Sequence, residues 1–136
     1  MIILDTSVLY AYFRADDPDH HDVVDLLNQG DQLIVSPYVI AELDYLLATR
    51  AGQRVEVQML VDVSSGSFEL PIMGAADLLS CAEVISRFAD QNIGVADASL
   101  VVLADRYQTN RIATLDHRHF SVLRNKNNER FTILPG

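Results

Sequence analysis

Four carboxylates stand where an ordinary surface acid would not. Asp5 directly follows the unbroken apolar run Ile2-Ile3-Leu4, and Asp116 ends a second strand-like run, Ile112-Ala113-Thr114-Leu115. Asp97 heads a stretch in which a helix would put Leu100, Val101 and Ala104 on its own face. Glu42 sits at one margin of the helical stripe Val39, Leu43, Leu46 and Leu47, with Asp44 near the other margin, so helical geometry alone does not choose between them. Each position also has a plain alternative. Asp5 and Asp97 are competent helix N-caps, Glu42 fits a surface glutamate at a helix edge, and Asp116 fits a loop aspartate that turns the chain. If the fold gathers the four, however, their negative charges converge and require a counter-ion. Clustered carboxylate oxygens are the ligand set of Mg²⁺ or Mn²⁺.

The elements that would position them follow from local patterning. An apolar run without alternation suits a strand covered on both faces of a parallel sheet, and ligands of such sheets collect at the carboxyl ends of the strands. Strands are therefore expected at 2–4, 33–35, 68–72, 112–116 and 131–134, with Pro71 marking the third as an edge or end. Helices are expected at 8–13, 20–28, 53–63, 75–90, from Asp97 onward and around 120–123. Ser36-Pro37 opens the helix of Glu42, a side-chain cap followed by proline at the first helical position. Five strands alternating with helices imply an α/β fold with a parallel sheet. His20 and His21 diverge on a helix and read as surface residues.

A chain of 136 residues is expected to form one domain, and at 49% hydrophobic it buries a real core instead of staying disordered. No apolar stretch approaches the roughly 18 residues of a membrane span, and no signal peptide is evident. Cys81 is the only cysteine. It reads as a small core residue, and the lack of an intrachain disulfide fits a reducing cytoplasm. The net charge of −9 argues against broad non-specific binding to nucleic acid and allows a basic partner. The charge is uneven. Residues 1–105 hold 4 basic and 17 acidic groups, and residues 106–136 hold 6 basic and 2 acidic groups, so the latter form either a phosphate-contacting edge or a solvated basic tail. Glycine-rich phosphate loops, Cys/His zinc spacing, repeats and low-complexity tracts are all missing.

The segments Ile3-Leu4-Asp5-Thr6-Ser7, Ser36-Pro37-Tyr38-Val39-Ile40-Ala41-Glu42-Leu43, Ile93-Gly94-Val95-Ala96-Asp97-Ala98-Ser99-Leu100 and Ile112-Ala113-Thr114-Leu115-Asp116 occur in this order. In that order and at that spacing the chain resembles, over essentially its whole length, the PIN-domain ribonucleases of the VapC toxin type. The resemblance implies a three-layer α/β fold over residues 1–136, with five parallel strands in the order 3-2-1-4-5. It implies an acidic site at Asp5, Glu42, Asp97 and Asp116, choosing Glu42 over Asp44. It further implies Mg²⁺- or Mn²⁺-dependent endonucleolytic cleavage of RNA, in this family of particular tRNAs or ribosomal RNA. A VapB-type antitoxin partner and a homodimer are implied as well. On this reading Asp5, Asp97 and Asp116 hold the principal metal and Glu42 completes the shell or helps position the attacking water. Thr6, Ser7 and Thr114 become candidates to orient carboxylates, with Ser99 a weaker one, and Arg118 becomes a candidate phosphate contact. The family often carries a further acidic or amide residue just after the fourth carboxylate. Here that stretch is His117-Arg118-His119-Phe120, two histidines that fit either substrate contacts or exposed loop residues.

A haloacid-dehalogenase-type phosphatase needs a second aspartate two residues after Asp5, where Ser7 stands. A degenerate PIN domain used only for binding is disfavoured by the presence of all four carboxylates. An RNA-processing PIN nuclease that is not a toxin would be told apart by the absence of a neighbouring antitoxin gene.

Overall fold

The unbroken run Ile2-Ile3-Leu4 becomes the inner strand of the sheet. The computed structural model describes residues 1–136. Strand β1 (Ile2–Leu4) pairs in parallel with β2 (Leu33–Val35) on one side and β3 (Arg111–Ala113) on the other, and β3 pairs in parallel with β4 (Thr132–Leu134). The order across the sheet is β2-β1-β3-β4. Because both neighbours of β1 are filled and helices cover its faces, Ile2, Ile3 and Leu4 are fully buried.

The expected five-stranded sheet has four strands. The segment 68–72 reaches the outer edge of β2 through one residue only. Glu69 bridges Ile34, its N–H donating to the Leu33 carbonyl (2.8 Å) and its carbonyl accepting from the Val35 N–H (3.0 Å). Pro71, two residues on, has no N–H to continue a ladder. The position of this segment keeps the expected order, but only as an isolated bridge.

The helices are α1 (Thr6–Phe13), α2 (His20–Leu27), α3 (Pro37–Arg50), α4 (Gln53–Ser64), α5 (Ala75–Arg87), α6 (Val95–Tyr107) and α7 (His117–Phe120). Some boundaries differ from the sequence reading. Helix α5 gives way after Arg87 to a single 3-10 turn, Ala89–Gln91, and α7 begins at His117 rather than near Phe120. Strand β3 closes at Ala113, two residues before Leu115, because Asp116 turns out of the sheet to cap α7. His20 is half-buried rather than free on the surface, its Nδ1–H donating to the Ala11 carbonyl at 2.8 Å and so tying α2 to α1. Cys81 is buried in the core, as expected. No helix is long and apolar enough to cross a membrane.

Helix α6 is the central one, burying Ala96, Ala98, Ser99, Leu100, Val101, Leu103 and Ala104 between the sheet and the neighbouring helices α3 and α5. Its start is tied to the start of α3 by a chain of hydroxyls. The Tyr38 N–H donates to Ser36 Oγ (3.1 Å), Ser36 Oγ lies 2.7 Å from Ser99 Oγ, and Ser99 Oγ donates to the Ala96 carbonyl (2.6 Å). Ser99 has its proton committed to Ala96, so Ser36 is the donor to Ser99. Both serines are fully buried, so this chain satisfies polar groups with no access to water, and it fixes the helices that carry Glu42 and Asp97 against each other. Ser99 thus braces two helices instead of orienting a carboxylate. Ser36→Ala and Ser99→Ala are each expected to cost about 1–2 kcal/mol in urea unfolding. The double variant should lose less than the sum of the two, by about 0.5–1 kcal/mol. Strictly additive losses would show that the two hydroxyls do not act as one chain.

Candidate active site

Asp5 is the most tightly held of the four carboxylates. It occupies the N-cap position of α1 but makes no capping bond. Its Oδ2 instead accepts from Thr114 Oγ1 (2.7 Å) and from Ser7 Oγ (2.8 Å). Those hydroxyls are themselves fixed, Ser7 Oγ accepting from the Leu115 N–H and Thr114 Oγ1 from the Asp116 N–H, each at 2.9 Å. The register explains why they meet: Leu4 lies opposite Ala113, so Asp5 and Thr114 leave the sheet at the same level. Two hydroxyls therefore bind one oxygen of a buried aspartate and clamp the β1–α1 turn to the β3–α7 turn. Both hydroxyls use Oδ2, so neither engages Oδ1. Of the three hydroxyls that the sequence offered as carboxylate-orienting candidates, those of Ser7 and Thr114 hydrogen-bond Asp5, and the buried hydroxyl of Thr6 has no hydrogen-bond partner.

Asp97 stands at the third residue of α6, after Gly94-Val95-Ala96. The same pattern, Gly74-Ala75-Ala76-Asp77, opens α5, and there Asp77 Oδ2 folds back to accept from the Gly74 N–H at 2.9 Å. Asp97 makes no such capping bond and projects instead into the cavity at the carboxyl end of the sheet. Glu42, on the exposed side of α3, faces the same cavity, while Asp44 lies against Glu56 of α4 and pushes that carboxyl up. Tertiary packing thus separates the two acids that helical periodicity could not. Asp116 caps α7, its Oδ1 accepting the His119 N–H at 3.4 Å, and also lines the cavity.

The four carboxylates border one open cavity of about 450 Å³. The sequence reading missed other members of its wall: Asp17, Tyr10, Leu46 and Arg50. A signal for two of them was present, since Glu42, Leu46 and Arg50 recur at i, i+4 and i+8 along one face of α3. His119, which the sequence left between two roles, lies in the wall. Its Nδ1 is 3.0 Å from Asp116 Oδ2 and 3.7 Å from Asp97 Oδ2, close enough for ion pairing but aligned for a hydrogen bond with neither. Arg118 is not part of the wall. Nor do the other basic residues of 106–136 form a common edge there: Arg106 pairs with Asp77 and Arg111 with Asp31, both at 2.7 Å.

Electrostatics follow from this geometry. Burial raises the pKa of Asp5 above the ordinary carboxylate value, the Thr114 and Ser7 hydroxyls pull it down, and Glu42 adds repulsion. Asp97 is pushed up to about 6, first by burial and then by the charge of Asp5, with Glu42 and Asp116 adding and His119 opposing. The donors fit a hard divalent cation in kind: all are carboxylate oxygens, one is preoriented with a free lone pair, and their mutual repulsion is what a cation would relieve. They do not form a preassembled cage, because no three His, Cys, Asp or Glu side chains stand close enough together to hold an ion as they are. A small divalent ion that keeps several of its waters needs only one or two direct carboxylates.

The sequence pattern that defines the PIN domain matches residues 2–126. This chain belongs to the PIN-domain family. It is 50% identical over 135 residues to the ribonuclease VapC26 of Mycobacterium tuberculosis, covering 98% of this chain and 100% of that one. Among solved structures it is similar to VapC20 of M. tuberculosis, described as a sarcin-ricin loop cleaving toxin (TM-score 0.81, 21% identity, 88% of this chain and 92% of that one). It is also similar to VapBC2 from Rickettsia felis, solved bound to a DNA fragment from their promoter (TM-score 0.68, 17% identity, 98% of each chain). At those identities the two structures speak for the PIN fold.

Two outcomes test this geometry. Thr114→Val removes a donor to Asp5 and takes the acceptor from the half-buried Asp116 N–H, so it should cost about 1–3 kcal/mol in urea unfolding. A neutral result would mean that the clamp is not formed. The second concerns Asp97. Its folded-state pKa lies above the ordinary carboxylate value, so the folded chain holds this proton more tightly than the unfolded chain. The stability linked to it is therefore present at low pH and lost as pH rises between about 4 and about 6. In EDTA, Asp97→Asn should melt above the wild type at neutral pH, and the gap should close as pH falls below about 4. A gap that does not depend on pH would contradict the assignment.

Proposed function

We propose that this protein is a metal-dependent endoribonuclease, the toxin of a type II toxin–antitoxin pair, and that it inhibits translation by cleaving a specific structured RNA, a tRNA or a ribosomal RNA. The observation that carries the reading is the 50% identity to a ribonuclease over the full length of that relative, on a chain whose four motif carboxylates border one cavity. Mg²⁺ is the proposed cofactor, with Mn²⁺ able to replace it. The proposed partners are a VapB-type antitoxin covering the acidic cavity and a second copy of the chain, acting in the cytoplasm.

A divalent cation bound here supplies Lewis-acid stabilisation to a phosphodiester, which is anionic and resists attack by water. The chain's own groups do the rest. Asp5 offers Oδ1 from a carboxylate that two hydroxyls prevent from rotating, which is how orienting partners sharpen a metal ligand. Asp97 and Asp116 complete the direct or water-mediated donors from α6 and the turn before α7. Glu42, exposed on α3, lines the same cavity and would complete the shell or help position the attacking water. An unpaired RNA loop reaches an open site of this kind more readily than a regular duplex does, because its backbone is splayed and accessible.

The test is incubation of antitoxin-free protein with bacterial tRNA and ribosomal RNA, with Mg²⁺, with Mn²⁺ and with EDTA. Discrete fragments are expected with either metal and none with EDTA. Asp5→Asn, Asp97→Asn and Asp116→Asn should each lower cleavage by about two orders of magnitude. Asp44→Asn, which alters the neighbouring α3 acid that faces α4, should cleave normally. Cleavage unaffected by Asp97→Asn, or abolished equally by Asp44→Asn, would overturn the assignment.

A further inference from the structure

The wall of the cavity contains one guanidinium among its carboxylates, that of Arg50, the last residue of α3. Arg50 is exposed and makes no ion pair or hydrogen bond within the chain, although Asp17 and Glu42 line the same cavity. What it does touch is Tyr10 of α1, with its guanidinium carbon 5.7 Å from the ring centroid. Tyr10 is in turn fixed from its other end: Arg14 Nη1 donates to the Tyr10 hydroxyl at 2.7 Å, and Arg14 is committed to Asp16. Of the two arginines near this ring, one is therefore occupied in holding it and the other is free.

We propose that Arg50, supported on the Tyr10 ring, is the substrate-side contact of the ribonuclease reading above: it takes a backbone phosphate of the RNA next to the one that is cleaved. The inference rests on that reading and adds to it. A polyanion entering a cavity of carboxylates on a chain of net charge −9 meets repulsion everywhere except at a cation in the wall. Arg50 is the lysine or arginine so placed. Its support is suited to the task, since a guanidinium lying near an aromatic ring keeps its N–H edges available for phosphate while losing rotational freedom. Position also argues for a neighbouring phosphate. Arg50 lies two helical turns from Glu42, about 12 Å along α3. The basic residues of 106–136, the sequence's own candidates for this role, do not line the cavity.

The experiment measures binding of fluorescently end-labelled bulk tRNA and of a labelled ribosomal RNA fragment by anisotropy, in an Asp97→Asn background that keeps the probe intact, at salt concentrations from about 50 to about 200 mM. Arg50→Ala should weaken binding about tenfold and reduce the slope of log affinity against log salt by about one phosphate contact. Arg50→Lys should restore the slope but not the full affinity, because it keeps the charge and loses the planar support. Tyr10→Phe, which keeps the ring, should bind nearly as well as the parent, and Tyr10→Ala should bind worse. Thermal melting of each variant separates a lost contact from a lost fold. Unchanged affinity and slope in a folded Arg50→Ala variant would overturn this inference alone. So would a variant that binds RNA normally and loses affinity only for the antitoxin, which would assign Arg50 to the protein partner. Failure of the parent to bind either RNA would overturn the ribonuclease reading together with it.

Discussion

Mutual repulsion among Asp5, Glu42, Asp97 and Asp116 is the constraint to which the surrounding structure answers. At Asp97, burial first and then the charge of Asp5, with smaller additions from Glu42 and Asp116, push the carboxyl up to about 6. The fold withstands this because each acid is attached to something rigid. Asp5 is clamped by Thr114 and Ser7, Asp97 sits on the buried central helix, and the hydroxyl chain from Ser36 to Ser99 locks that helix to the one bearing Glu42. A side chain that could swing away would relieve the repulsion and lose the site. The hydroxyls at Ser7 and Thr114 fix Asp5 without neutralising it, since both are uncharged donors.

The same arrangement separates the protein's electrostatic tasks. Its overall acidity is concentrated before residue 106, the part of the chain that supplies most of the cavity wall, and its basic residues beyond that point include two bound into ion pairs with Asp77 and Asp31. An acidic cavity of this kind attracts cations, and on the function proposed above RNA would approach it through a local contact, not through a broad positive surface. The proposed role of Arg50, two turns along the helix from Glu42, would meet that requirement without cancelling the acidity of the cavity.

Much of this was legible in the sequence, for reasons that can be traced to individual residues. Ile2-Ile3-Leu4 has no polar interruption because β1 is inside the sheet, and Asp5 marks its end for the same reason. Ser36-Pro37 gives the start of α3 to the residue, since a capping oxygen followed by a residue lacking N–H suits only that location. What was not legible depended on contacts between elements. Gly74-Ala75-Ala76-Asp77 and Gly94-Val95-Ala96-Asp97 are alike locally, and only the position of α6 over the strand ends makes one aspartate a cap and turns the other into the cavity. Glu42 and Asp44 are equivalent until α4 packs beside Asp44. The segment around Phe68 has the composition of a strand, but Pro71 cuts its pairing to one bridge. Charge alone singled out Arg118, which does not line the cavity, whereas the i, i+8 spacing of Arg50 from Glu42 on α3 is what brings it to the wall.

The most direct test of the central claim is titration of Mg²⁺ and Mn²⁺ into the metal-free protein by calorimetry, comparing the wild type with Asp97→Asn. The account predicts saturable binding of a divalent cation by the wild type, accompanied by a rise in melting temperature, and binding at least about tenfold weaker in the variant. Absence of saturable binding, or equal affinity in the two proteins, would mean that the carboxylates meet at this cavity for a reason other than holding a cation.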